Sequence, residues 1–176
     1  MRVQIHTEPF TYITADDFLP PDVFDYMLKL SQDDSLDWEI NGDQMGTVAM
    51  KHLYLPDDFP LPYHDNMNQH FTHHRPYSSL KRRTYISKQR GPFQHKIHCE
   101  TEPKVFSHVV YLGPDKSIGT ILHDRDKKPC KVVPWKLNRA FIFAGETDVT
   151  WHSYATIGDE VRVTLNSFYE RPAKDV

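Results

Sequence analysis

From about residue 82 onward the chain breaks into short runs of strand-forming residues separated by turn residues, and this texture limits the fold more than any other feature. The runs fall at 83–88, 93–98, 104–112, 118–123, 131–134, 139–144, 148–152 and 161–169. Gly91-Pro92, Gly113-Pro114, Gly145 and Gly158-Asp159 punctuate them with residues suited to tight turns. Many short strands at fairly even spacing, preceded by helical sequence, predict a mainly β fold (α+β) in which a β-sandwich or jelly roll carries a helical layer.

The first third reads differently. Phe10 to Ile13 looks like a short strand, and Pro20-Pro21 opens a helix over 21–32, where Val23, Phe24, Met27, Leu28 and Leu30 recur near helical period. A weaker helix is expected over 61–74, where Met67 and Phe71 lie four apart. Residues 36–52 are placed to act as a lid. The organisation expected is one domain over 1–176, with a mixed entry region at 1–80 and a jelly-roll core at 81–171. At 176 residues such a domain buries a sufficient core without disulfides.

Charge and composition exclude several roles. The net charge is −3 and the pI about 6.4, against a chain whose main task is gripping nucleic-acid phosphate. No apolar run is long enough to cross a membrane. The first residues lack the apolar stretch of a secretory signal, so the expected compartment is cytoplasmic. Cys99 and Cys130 form no pair and are expected as free thiols. The oligomeric state is not legible.

On a strand, positions i and i+2 point to one face, so a histidine and a carboxylate at that spacing can grip one metal ion. His98-Cys99-Glu100 is a His-x-Glu of this kind, at the end of the run 93–98; no His-x-Asp occurs. Downstream lie His152, at the edge of another strand, and Arg162, ten residues later. Two histidines and one carboxylate form the facial triad of non-haem Fe(II) oxygenases, which leaves three coordination positions open. Two can chelate a 2-oxo acid and the third can take O2. The far carboxylate of that acid needs a buried cation, and arginine meets carboxylate through two parallel hydrogen bonds.

From His98 to Arg171 the chain resembles the Fe(II)/2-oxoglutarate-dependent dioxygenases, especially the compact prolyl-hydroxylase-like members. The matching pieces, in order, are Ile97-His98-Cys99-Glu100, Lys104-Val105-Phe106, Val110-Tyr111-Leu112, Gly119-Thr120, Val133-Pro134, 138–143, Trp151-His152 and Arg162-Val163-Thr164. Asp16-Asp17-Phe18-Leu19-Pro20 also resembles the usual entry into the first helix. The resemblance implies a double-stranded β-helix (jelly roll) with N-terminal helices. It assigns His98, Glu100 and His152 to iron and Arg162 to the distal carboxylate of 2-oxoglutarate, with Thr164 adding a hydroxyl from the same face. Tyr85 and Tyr111 can each hydrogen-bond the co-substrate. The implied chemistry is oxidative decarboxylation of 2-oxoglutarate to succinate and CO2, coupled to hydroxylation of a peptide side chain, amino acid or small metabolite. Glu100 stands where the family usually carries Asp. Phe168 stands where the nucleobase-dealkylating branch carries a second arginine.

Other clusters read more simply. His95, three residues before His98, should point to the opposite strand face. His70, His73 and His74 suit a solvated helix face, and His123-Asp124-Arg125-Asp126 a hairpin tip. Lys81-Arg82-Arg83, with Lys88 and Arg90, reads as a solvated strand edge. Trp135, Trp151, Phe141, Phe143 and Phe168 are expected in the core or a cavity wall. Two rival functions fit the same barrel: a cupin-like metalloprotein that does not use 2-oxoglutarate, and a non-catalytic binding module.

Overall fold

The computed structural model describes residues 1–41, 50–57, 59, 70–71, 80–100 and 102–172. In chain order the elements are β1 (Arg2–His6), β2 (Tyr12–Asp16), α1 (Pro21–Gln32), β3 (Glu39–Asn41), β4 (Met50–Leu55), β5 (Lys81–Arg90), β6 (Phe93–Gln94), β7 (Lys104–Gly113), β8 (Thr120–His123), β9 (Pro129–Val133), β10 (Ala140–Ala144), β11 (His152–Thr156) and β12 (Val161–Glu170). Eight strands form one sheet in the order β1-β2-β10-β7-β12-β5-β4-β3, and four form a second in the order β6-β11-β8-β9. Every named pairing is antiparallel. From β5 to β12 the chain passes repeatedly between the two sheets, as a jelly roll does.

The strand pattern expected after residue 82 is recovered, with shifts at particular ends. The helix spans Pro21–Gln32, the expected range, with Pro at its first turn, Asp22 near its N-terminus and Lys29 in its last turn. Of the second expected helix, over 61–74, only exposed His70 and buried Phe71 are among the described residues, and the histidines 73 and 74 lie outside them. The ends of the expected lid, Glu39–Asn41 and Met50–Leu55, pair as strands that extend the large sheet, and 42–49 are outside the described residues. Among the described residues no helix is long and apolar enough to cross a membrane.

Side-chain alternation divides the core in two. On β10, Ala140, Ile142 and Ala144 join Met27, Ile86, Phe106 and Leu165 under α1. Phe141 and Phe143 turn the other way and meet Tyr111, Leu122 and Val133 between the sheets. Gly119 permits a close approach there, since a Cβ would sit 1.7 Å from the carbonyl oxygen of Val133. Asn138 ties the helix entry to the barrel: its side chain donates to the Leu19 carbonyl and accepts from the Leu19 N–H, both at 2.8 Å.

Asp16, at the end of β2, accepts from Arg139 at 2.6 and 3.1 Å and from Lys136 at 2.9 Å. The Arg139 hydrogen bond in particular, with help from Lys136, holds its pKa down at about 2. Because the folded value is depressed, this contribution is complete above the unfolded value near 3.8 and is lost as pH falls through 2. Asp16→Asn is expected to cost about 1–2 kcal/mol at neutral pH, allowing for solvent screening, and only a small part of that at pH 2. Urea melts at the two pH values measure the difference.

Candidate active site

His98 and His152 are neighbours across an antiparallel bridge: each backbone N–H donates to the other's carbonyl, at 3.0 and 2.8 Å. Their rings consequently lie side by side, with centroids 4.2 Å apart. Glu100 follows two residues after His98 and is buried. One donor atom from each of His98, Glu100 and His152 lies within 4.8 Å of the others, so the three can hold one metal ion.

Local hydrogen bonds orient these donors. Nδ1 of His98 lies 2.9 Å from the Lys96 carbonyl and Nδ1 of His152 lies 2.8 Å from that of Thr150. A carbonyl only accepts, so each Nδ1 carries the proton and each Nε2 keeps its lone pair for a metal. Burial, and then the charge of neighbouring His98, pull the pKa of His152 to about 3, so this ring is neutral. For Glu100, burial opposes ionisation, but Lys104 and the two neighbouring histidines together outweigh it, and its pKa is lowered. Lys104 Nζ donates to Oε2 at 2.6 Å and Ser107 Oγ to Oε1 at 3.1 Å. Two imidazoles and a carboxylate suit a divalent first-row metal.

The triad opens on a cavity of about 410 Å³ between the sheets, and Arg162 lines the same cavity. Arg162 is 4% exposed, and one of its N–H groups donates to the Ile118 carbonyl at 2.8 Å. Its guanidinium carbon lies 4.5 Å from the ring centre of Tyr154, 4.7 Å from Trp135 and 5.4 Å from Tyr111. No carboxylate among the described residues forms an ion pair with it. A buried cation so placed can take an anion. Thr164 lines the cavity on the same face of β12, as expected, and accepts from Asn166 at 3.1 Å.

Of the two tyrosines, Tyr85 lines the cavity, its ring stacked on His52 at 4.3 Å. The Tyr111 hydroxyl is engaged by Thr120, at 2.7 Å from the side chain and 3.2 Å from the backbone N–H. Tyr154 was missed in the sequence; its position two residues after His152 on one strand was the available signal.

Two expectations need correction. His95 does not point away from His98: their ring centroids are 4.4 Å apart, and His95 lines the cavity. The N–H of His95 bonds the Tyr154 carbonyl and that of His98 the His152 carbonyl, so three steps on one side match two on the other. The extra residue is a bulge-like irregularity that resets the alternation. The basic run is not on an edge either, because β5 lies inside the large sheet between β12 and β4, although Lys81, Arg83 and Arg90 are exposed as expected. Arg82 is buried and donates to the carbonyls of Asp57 and Phe59, while Arg83 lines the cavity and pairs with Glu170 at 3.1 Å. The 123–126 segment does form the β8–β9 hairpin, with His123 bonded to Ser153 at 2.8 Å.

No family model matches the sequence, and no curated protein matches it. Solved structures do match. A Pseudomonas putida prolyl-4-hydroxylase superposes with a TM-score of 0.66 at 12% identity, covering 92% of each chain. The chain has the fold of the compact prolyl hydroxylases. A Trichoplax adhaerens prolyl hydroxylase, solved with a hypoxia-inducible-factor peptide fragment, gives 0.63 at 13% identity over 90% of this chain and 83% of that one. The viral collagen prolyl hydroxylase of Paramecium bursaria Chlorella virus-1, solved with 2-oxoglutarate, gives 0.56 at 11% identity over 92% and 96%.

Proposed function

We propose that this chain is an Fe(II)- and 2-oxoglutarate-dependent oxygenase, in which His98, Glu100 and His152 hold iron and Arg162 holds the distal carboxylate of 2-oxoglutarate. One observation carries the reading: a metal-competent triad and a buried guanidinium without an ion-pair partner among the described residues face one cavity. A metal site alone suits a cupin-like protein. The added buried cation suits a dicarboxylate co-substrate.

The overall reaction is a C–H substrate plus 2-oxoglutarate plus O2 giving the hydroxylated product, succinate and CO2. Ferrous iron, when bound, supplies the redox centre that activates oxygen. The chain's own residues do the positioning. Arg162 fixes the far end of the co-substrate, so that its 2-oxo acid end is directed toward the triad. Thr164 offers a hydroxyl on the same strand face. Tyr154, Trp135 and Phe141 wall the site with apolar surface that excludes water. The preferred substrate class is a peptide side chain, ahead of a free amino acid or small metabolite; the peptide held by the Trichoplax enzyme supports that order.

Anaerobic titration with Fe(II) and 2-oxoglutarate tests the reading. A visible metal-to-ligand charge-transfer band is expected with the wild type and is expected to be lost in His152→Ala. Bound iron without a band on adding 2-oxoglutarate would instead indicate the cupin-like protein, and no iron binding a non-catalytic module.

A further inference from the structure

On β5, side chains alternate between two environments. Arg82 reaches loop carbonyls on the α1 side and Ile86 packs in the core under α1, while Arg83, Tyr85 and Ser87 line the cavity. Gln89 continues the second series and is the direct cross-strand partner of Arg162. The two side chains therefore project from adjacent strands onto one face. Gln89 is 2% exposed, yet neither its Nε2 nor its Oε1 has a hydrogen-bond partner. A second polar group nearby shares this condition: Thr156 Oγ1 is buried without a partner. Thr156 lies on β11 in the alternation of His152 and Tyr154, and its Oγ1 is 2.5 Å from where a Cβ on Gly91 would sit, two residues beyond Gln89.

Buried amides are nearly always hydrogen-bonded, because leaving one without a partner forfeits its hydration. A glutamine without a hydrogen-bond partner, paired across strands with a cavity-lining guanidinium that forms no ion pair among the described residues, makes the end of the cavity at Arg162 a place for an incoming ligand. An amide N–H and a guanidinium both donate, so the matching group is a carboxylate.

We infer that Gln89 is a second arm of the co-substrate site, donating its side-chain amide to the same distal carboxylate as Arg162. This rests on the oxygenase reading above. The amide adds a directional contact that Arg162 alone does not provide, and it confers selectivity for an acid whose far carboxylate reaches this depth.

Calorimetric titration of the Mn(II)-loaded protein with 2-oxoglutarate tests the assignment without turnover. Gln89→Met keeps the length of the side chain and removes both polar atoms. It is expected to weaken 2-oxoglutarate about ten- to fiftyfold, the scale of a hydrogen bond to a charged group. Mn(II) affinity should stay within about twofold, and the melting temperature of the 2-oxoglutarate-free protein should not fall. Should that variant fail to fold, Gln89→Glu keeps the size and places an anion against the carboxylate, with an expected loss above about a hundredfold and Mn(II) binding retained. Affinity for 2-oxoglutarate within twofold of wild type in either folded variant would overturn the inference alone. So would a joint fall in Mn(II) affinity, 2-oxoglutarate affinity and melting temperature, which marks a structural role. Failure of the wild type to bind 2-oxoglutarate would overturn the oxygenase reading and this inference with it.

Discussion

Arg162→Leu is expected to raise the dissociation constant for 2-oxoglutarate by about two to three orders of magnitude, because removing one partner of a buried charge pair leaves the other charge unmatched. Metal affinity should barely change, since the guanidinium is not among the clustered donors. The stability of the ligand-free protein sharpens the prediction. Arg162 is held by hydrogen bonds to the Ile118 carbonyl and the Tyr111 side chain and by three aromatic rings, with no ion pair among the described residues. A buried cation in that state costs desolvation free energy that the fold does not recover, so leucine is expected to leave the melting temperature unchanged or raise it. A residue kept for packing would show the reverse: lower stability with intact binding. Arg162→Lys should fall between, because an ammonium restores the charge without the paired N–H groups. Titration of the metal-loaded protein with 2-oxoglutarate, together with thermal melts of the ligand-free protein, checks all three statements.

The C-terminal half of the fold was legible because the physics there is local. Strands such as 161–169 are bounded by Gly and Asp turns, and the structure places β12 at Val161–Glu170. Helix α1 was equally legible from Pro21 and the spacing of Val23, Phe24 and Met27. Where local side chains compete with strand formation, the reading slipped. A strand was expected over 148–152, but β11 begins at His152. Thr150 bonds back to the Glu146 carbonyl through both its N–H and its hydroxyl, and this turn displaces the strand start. His98 and Glu100 share a face through short-range alternation, whereas their meeting with His152 depends on a bridge between residues more than fifty positions apart. His95 as a cavity group and Gln89 as the cross-strand partner of Arg162 were not legible. The first needed the bulge after β6, and the second needed the β5–β12 register, which pairs residues more than seventy positions apart. Strand β4, which brings His52 and Tyr54 to the cavity, was missed although the hairpin dipeptide Asn41-Gly42 precedes it in the sequence.

Glu100→Ala is expected to weaken Fe(II) by more than about a hundredfold, beyond the loss usual for a residue that merely orients a ligand. The methylene that separates Glu100 from the aspartate usual in similar enzymes explains why aspartate is not expected to improve the site. The Glu100 carboxylate is held at both oxygens, by Lys104 at 2.6 Å and Ser107 at 3.1 Å. Lys104 is itself held, its Nζ 3.8 Å from the ring centre of Phe168. These contacts fix a longer side chain where a free glutamate would sample many rotamers, and they keep it ionised against its burial. Shortening the side chain by one methylene withdraws the carboxylate by about 1.5 Å, the length of one C–C bond. Both hydrogen bonds are then lost and the Lys104 ammonium is left half-buried without its anion. Glu100→Asp is therefore expected to bind Fe(II) about ten- to a hundredfold more weakly than wild type, the range for disrupted ligand support. Competition with a chromogenic chelator measures both variants. Tighter binding in Glu100→Asp would mean that Lys104 and Ser107 restrain the carboxylate away from the metal rather than toward it, and Lys104→Met should then also strengthen binding.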